Sequence, residues 1–316
     1  MNHKEIPVLI IAFNRPKKLQ KLLTKLEEIG ACNLFFSVDG PRNSRDAESV
    51  NQTINLIKSK EKNKDRYIFR NENLGCKTAV KMALDWFFEI NEFGIILEDD
   101  CMPSEEFFMF CSAMNKKFIH NKKVFCIQGN RFSERSKLNG FIDLSINFYM
   151  WGWATWRDRW KPWSINNLDV SKLEVKNLFN NRTFNMYWEQ IRMECTQGKF
   201  NSWGYPTALY CLSNEFVNVV PPMNLVVNDG FDMDATHTGY KVDLPYNNFN
   251  DVKLYHNYSF DSEIILNSLF DDECTYRLNI KKITKIRLLI DKHFPFFSNH
   301  MRKWWRYIKN IIKCYL

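Results

Sequence analysis

The sequence contains nine cysteines, Cys32, Cys76, Cys101, Cys111, Cys126, Cys195, Cys211, Cys274 and Cys314, but no two at C-x-x-C spacing. That argues against a zinc ribbon and a dithiol redox motif. An odd, scattered set of thiols fits a reducing, cytoplasmic compartment. No apolar run reaches the roughly 18–20 residues of a membrane span. The polar start, Met1 to Pro7, runs straight into an apolar segment, without the pattern of a secretory signal. Neither an internal repeat nor a low-complexity linker interrupts the chain. Basic charge is also missing where a nucleic-acid enzyme would need it. Of the net +8, residues 281–316 carry ten Lys/Arg against Asp291 alone, which leaves 34 basic and 35 acidic residues elsewhere. A neutral body with a basic tail gives no positive groove for a phosphate backbone.

What is present is ordinary globular composition, 45% hydrophobic and 25% charged, over 316 residues, enough for one large domain or two small ones. Aromatics reach 15%, with 26 Phe and 10 Trp. Such content suits either a large aromatic core or the stacking of sugar faces on rings. From residue 6 to about 118, apolar strand-like runs alternate with helical spacing. Val8–Phe13, Leu34–Val38, Tyr67–Phe69 and "FGIILEDD" read as strands. Lys17–Ile29, Asn51–Ser59 and the segment after "NLGC" read as helices. This alternation predicts an α/β fold with a doubly wound, mostly parallel sheet, whose ligands bind at the carboxyl ends of the strands. After residue 140 the pattern turns irregular and aromatic, with helices expected at 184–197 and 207–213. "FVNVVPPMNLVVNDGF" reads as two short strands around a Pro turn.

Asn14, Arg15, Asp39, Glu98, Asp99 and Asp100 all fall at strand ends. Three consecutive acids after "GIIL" are suited to hold a divalent cation, Mn2+ or Mg2+, against a phosphorylated leaving group. A solvated acidic turn is the plainer alternative. Asp39-Gly40 is a weaker signal, because Asp-Gly is a common turn. In the tail, Met301, Trp304, Trp305, Ile308, Ile311, Ile312 and Tyr315 recur at helical spacing among Lys303, Arg306, Lys309 and Lys313. That reads as a basic amphipathic helix for an anionic membrane surface, or as an ordinary packed C-terminal helix.

The segments "IIAFNRP", "FSVDGPR", "NENLGC", "IILEDDCMPSEEFF", "MWGWATWRDRW" and "PPMNLVVNDGFDMDATHT", in that order, carry a family resemblance. Over roughly residues 6–240 the chain resembles bacterial GT-A-type glycosyltransferases related to N-acetylglucosaminyltransferase I. The resemblance implies transfer of a sugar from a nucleoside-diphosphate donor, UDP-linked by expectation, to a hydroxyl acceptor. It implies that Asp39 holds the uridine or ribose, with Asn14, Arg15, Gly40, Asn73 and Gly75 nearby. Glu98 and Asp99 would serve the nucleotide-sugar through ribose or water, and Asp100 would bind the metal directly. His237 would be a further metal ligand, and Trp151, Trp153, Trp156 and Trp203 would shape the acceptor side.

One departure concerns the general base. The family pattern Trp-Asp-Tyr appears here as Trp203-Gly204-Tyr205. Glycine takes no proton, so Asp229 and Glu189 become the alternative bases, each expected to contribute about 10²–10⁴-fold. The resulting expectation is a metal-dependent, inverting transferase of bacterial surface polysaccharide synthesis. It would act on a glycan or lipid-linked glycan, with no nucleic-acid partner, peripheral at the inner face of the cytoplasmic membrane through 281–316. The catalytic domain would span 1–245, as a nucleotide-sugar half (1–130) and an acceptor half (131–245), followed by an extension over 246–316. Competing expectations are a degenerate member that binds without transfer, favoured by Gly204, and a nucleotidyltransferase. The latter usually has a Gly-rich phosphate loop after the first strand, and "AFNRPKKLQK" has no glycine there.

Overall fold

A computed structural model describes residues 2–132, 142–165, 169–174, 182–230 and 264–266. His237, the basic tail and, apart from 264–266, the remainder of the expected extension lie outside the described residues. The elements run β1 (Val8–Ala12), α1 (Pro16–Ile29), β2 (Leu34–Val38), α2 (Ser44–Lys60), β3 (Tyr67–Phe69), α3 (Gly75–Ile90), β4 (Phe93–Glu98) and β5 (Cys101–Pro103). They continue with α4 (Glu105–Phe118), β6 (Val124–Gln128), β7 (Ile142–Ser145), β8 (Trp153–Trp156), α5 (Arg157–Ile165), α6 (Arg182–Thr196), α7 (Gly204–Ser213), β9 (Val217–Val220), β10 (Val226–Asn228) and β11 (Ile264–Leu266).

Among the described residues, nine strands form one sheet in the order β11-β7-β9-β6-β8-β4-β1-β2-β3, and β5 pairs with β10 in a separate ribbon. From β3 to β4 every pairing is parallel. The other half is mixed. β8 runs antiparallel to both β4 and β6, while β6 and β9 are parallel. The carboxyl ends of β1, β2, β3, β4 and β6 therefore share one edge. The short apolar runs "VLIIA" and "FGIIL" form central strands because both of their faces are covered. Ile10, Ile95 and Leu97 point to the layer of α1, α2 and α4, whereas Leu9 and Ile96 point to that of α3, α5, α6 and α7.

Two expectations change here. The helix expected over Asn51–Ser59 begins at Ser44, because Asn43 accepts hydrogen bonds from Arg45 N and Asp46 N and caps it. Its apolar residues on the core, Val50, Ile54, Leu56 and Ile57, begin only at Val50, so the polar first turns carried no periodic signal. The aromatic stretch read as irregular holds a central strand, β8, all four of whose residues are buried. Among the described residues, no helix is long and apolar enough to cross a membrane.

Candidate active site

β4 delivers its acids to the shared edge, and Arg15 meets them from the turn between β1 and α1. Its Nη1 donates to Asp100 Oδ2 at 2.8 Å and its Nε to Asp99 Oδ2 at 3.3 Å. Its Nη2 lies in ion-pair contact with Asp99 Oδ1, an oxygen that has no hydrogen bond of good geometry. Asp99 is 1% exposed. Burial works against the charge of Arg15, but Asp99 and then Asp100 outweigh it and raise its pKa. The acids are less well served. Burial first, then Asp100 and Asp99, push Glu98 up to about 8 against the opposing pull of Arg15. Burial, partly offset by Arg15, pushes Asp99 up to about 7. Trp203 donates its indole N–H to Glu98.

One guanidinium against three carboxylates leaves the site short of positive charge. Hard carboxylate oxygens, a charge deficit and a buried oxygen without a hydrogen bond fit a divalent cation in chemistry. Arg15, however, already occupies three of the four oxygens of Asp99 and Asp100. Among the described residues no group of three His, Cys, Asp or Glu side chains is arranged to hold an ion.

Asp39, expected to contact the nucleotide, is instead taken up by the protein. Oδ1 accepts from Gly40 N (3.0 Å) and Leu74 N (2.9 Å), and Oδ2 from Asn73 Nδ2 (3.0 Å) and Gly75 N (3.1 Å). These four bonds use the acceptor capacity of a carboxylate. Asp39 thus caps α3 from a different strand, a task that Leu74 at the N-cap position does not perform. Gly75 adopts φ +77°, a conformation that favours glycine. A Cβ on Gly40 would overlap the Glu72 backbone, so both glycines serve this turn. Cys76 sits beside Glu98 and Asp39, and its thiol is pushed up to about 12, chiefly by burial.

Asn14 belongs to a cluster that the sequence did not reveal. Its Nδ2 donates to Asp46 Oδ1 (2.8 Å), and Arg42 closes on the same carboxylate through Nε (2.7 Å) and Nη2 (3.0 Å). Those Arg42 bonds pull Asp46 down to about 2. Arg42 also lies over the Phe13 ring, 5.1 Å from its centroid. Lys18 was missed as well; it is buried, and its Nζ donates to Asp229 O at 2.5 Å. An apolar partner at i+4, Leu22, hid it within an ordinary helical face.

The two alternative bases part company. Asp229 N donates to Asp100 O (2.8 Å), and its half-exposed carboxylate pairs with Lys21 at 3.3 Å, so it belongs to the same edge. Glu189 is bound through both oxygens to Arg192, whose Nη1 reaches Ser171 O. No described contact ties it to the carboxylates. Gly204 is buried, and a Cβ there would overlap Met150 Cε. The Met150 thioether therefore fills the space that a side chain at 204 would need.

Trp153, Trp156 and Trp203 are 0%, 2% and 2% exposed, and so belong to the core rather than to an acceptor surface. Trp153 stacks on Trp203 at 5.6 Å, and Trp156 donates Nε1 to Asn115 Oδ1 at 2.7 Å. A ring enclosed on both faces has none left for a sugar. Trp151 is only half-buried and packs edge-on to Phe132.

No family model and no curated protein matches the chain. Among solved structures, it is similar to a mannosyltransferase, PcManGT from Pyrobaculum calidifontis, in complex with GDP-Man and Mn2+. The identity is 11% and the TM-score 0.35, over 66% of this chain and 69% of that one.

Proposed function

We propose that this chain is a nucleotide-sugar-dependent glycosyltransferase whose donor site is the edge formed by Arg15, Glu98, Asp99 and Asp100. The observation that supports this most is the crowding of three carboxylates around one guanidinium, at the carboxyl end of a central parallel strand. Open α/β sheets bind ligands at that edge. Asp100 and Asp99 would hold a divalent cation, Mn2+ or Mg2+, whose contribution when bound is to offset the negative charge of the departing diphosphate. His237 remains a proposed additional ligand.

The protein's own groups would do the rest. Asp39 fixes the Asn73–Gly75 turn, and thus the entry of α3, while Asn14, Arg42 and Asp46 lock the β1–α1 turn to the start of α2. Donor contact then falls to the backbone and side chains that these groups position. A pre-set geometry of this kind lowers the ordering cost of binding. Asp229 is the better placed of the two bases, since its backbone is bonded to Asp100 and Lys21 holds its carboxylate near the edge. It would take the acceptor proton, consistent with inversion. A UDP-sugar donor, a bacterial surface glycan acceptor and attachment of 281–316 to an anionic membrane complete the proposal. A donor-binding protein without transfer is the second reading, favoured by Met150 filling the space beside Gly204.

Calorimetry and nucleotide release across a panel of donors, with and without Mn2+, test the reading. Asp100→Asn should weaken Mn2+-dependent donor affinity by at least about tenfold, roughly 1.4 kcal/mol, and leave the melting transition in place. Equal affinity in the folded variant would remove the cation from Asp100. Donor binding without transfer to any acceptor would favour the second reading.

A further inference from the structure

Arg15 has a contact pattern that a permanent phosphate ligand would not need. Its fork lies on Asp99 and Asp100, and Asp99 is so enclosed that the guanidinium covers it. Only Asp100 Oδ1 escapes, and it faces Cys101 Sγ at 3.7 Å. A cation seeking these oxygens must therefore compete with Arg15. Conversely, every side-chain hydrogen bond and ion pair described for Arg15 goes to this pair of acids. A largely buried guanidinium that gives up both carboxylates is left uncompensated unless another anion replaces them. The planar fork that matches a carboxylate also matches a phosphate.

We propose that Arg15 is an exchangeable counter-ion: it yields Asp99 and Asp100 to a divalent cation and moves to the diphosphate that arrives with it. The inference rests on the donor-site reading above and adds a coupling to it. Arg15 opposes the bare cation and favours the cation–diphosphate complex, so the carboxylates are given up only when a donor is there to occupy the arginine. Such opposing effects make the two ligands mutually dependent, and by linkage each must strengthen the other.

The test uses the full chain with two probes, Mn2+ alone followed by electron paramagnetic resonance, and preformed Mn2+–inorganic diphosphate followed by calorimetry. Arg15→Gln removes the competitor and the phosphate ligand together. Affinity for Mn2+ alone should rise about 5-fold or more, while affinity for the complex should fall by a similar factor, within the usual range of coupling between sites. Arg15→Lys keeps the charge without the fork and should move both affinities the same ways by less. It also guards against a folding defect in the glutamine variant, and thermal melting of each protein checks that defect directly. Loss of both affinities in a folded variant would make Arg15 merely structural and overturn the exchange. So would weaker binding of the complex with unchanged affinity for Mn2+ alone. If the wild type binds neither probe, the cation site itself fails, a result distinct from failure of the exchange.

Discussion

Arg131 and Arg15 both close on buried aspartates, yet the two sites differ in charge balance. Arg131 meets Asp143 at a site where the side chains are 2% and 6% exposed, and it donates a further bond of 2.8 Å to Pro221 O. Among the described contacts there, the guanidinium meets one carboxylate, and a backbone carbonyl takes up a donor. Arg15 meets Asp99 and Asp100 with Glu98 adjoining, and Glu98 and Asp99 are pushed toward their neutral forms. A buried pair matched in charge among its described contacts suits a structural link between the segment after β6 and strand β7. An unbalanced one is a site where a further positive charge would be stabilised, which is the property a ligand edge requires.

Breaking the balanced pair should have the largest effect. Asp143→Ala takes from the buried Arg131 its described carboxylate partner and should cost about 3–5 kcal/mol in urea unfolding. A loss below about 1 kcal/mol would end the comparison, because Arg131 would then not depend on its partner.

The unbalanced site should respond to pH in the opposite sense to an ordinary salt bridge. In the unfolded chain Glu98 and Asp99 titrate at ordinary values near 4, whereas in the folded chain they do so at about 8 and about 7. Between those limits the folded state binds more protons. Their contribution is therefore fully present below about pH 4 and is lost as pH rises through 7 to 8. With a chelator present, the melting temperature should be several degrees lower at pH 8.5 than at pH 5.5, at about 2–4 °C per kcal/mol. Glu98→Gln should flatten that slope, and added Mn2+ should reverse it. A melting temperature that rises over this range in the wild type would show the site to be balanced after all.

The smallest effect is expected at Gly204, where packing rather than charge decides. Gly204→Asp meets the flexible end of Met150, which can move aside, and should destabilise by about 1 kcal/mol, the low end for overpacking, without raising transfer activity. Pairing it with Met150→Ala should recover part of that stability. A stable single variant with increased transfer would instead place residue 204 toward the acceptor.

Periodicity made the parallel half of the sheet legible, since buried runs such as Val8–Ala12 and Phe93–Glu98 alternate with helices of regular apolar spacing. The acids of β4 were legible for the same reason, because a charged triplet directly after a buried run has to lie at the strand's end. β8 was not legible. Its four buried residues come from a stretch so rich in tryptophan that no alternation marks which face is solvent. The family resemblance put Trp153 and Trp203 on the acceptor side, and only their burial and mutual stacking set them in the core.

Sequence by itself determined the α/β class and the gathering of Asn14, Arg15, Asp39 and Glu98–Asp100 at strand ends, because those properties follow from local spacing. Tertiary structure decided what each group does there. Asp39 became the cap of a helix that starts 36 residues later, Asp46 became the partner of Asn14, and Arg15 came to lie on acids 84 and 85 residues away. Hydrogen bonds and ion pairs depend on distances of about 3 Å between atoms. Linear spacing carries no information about those distances until the sheet has set which strand ends are neighbours.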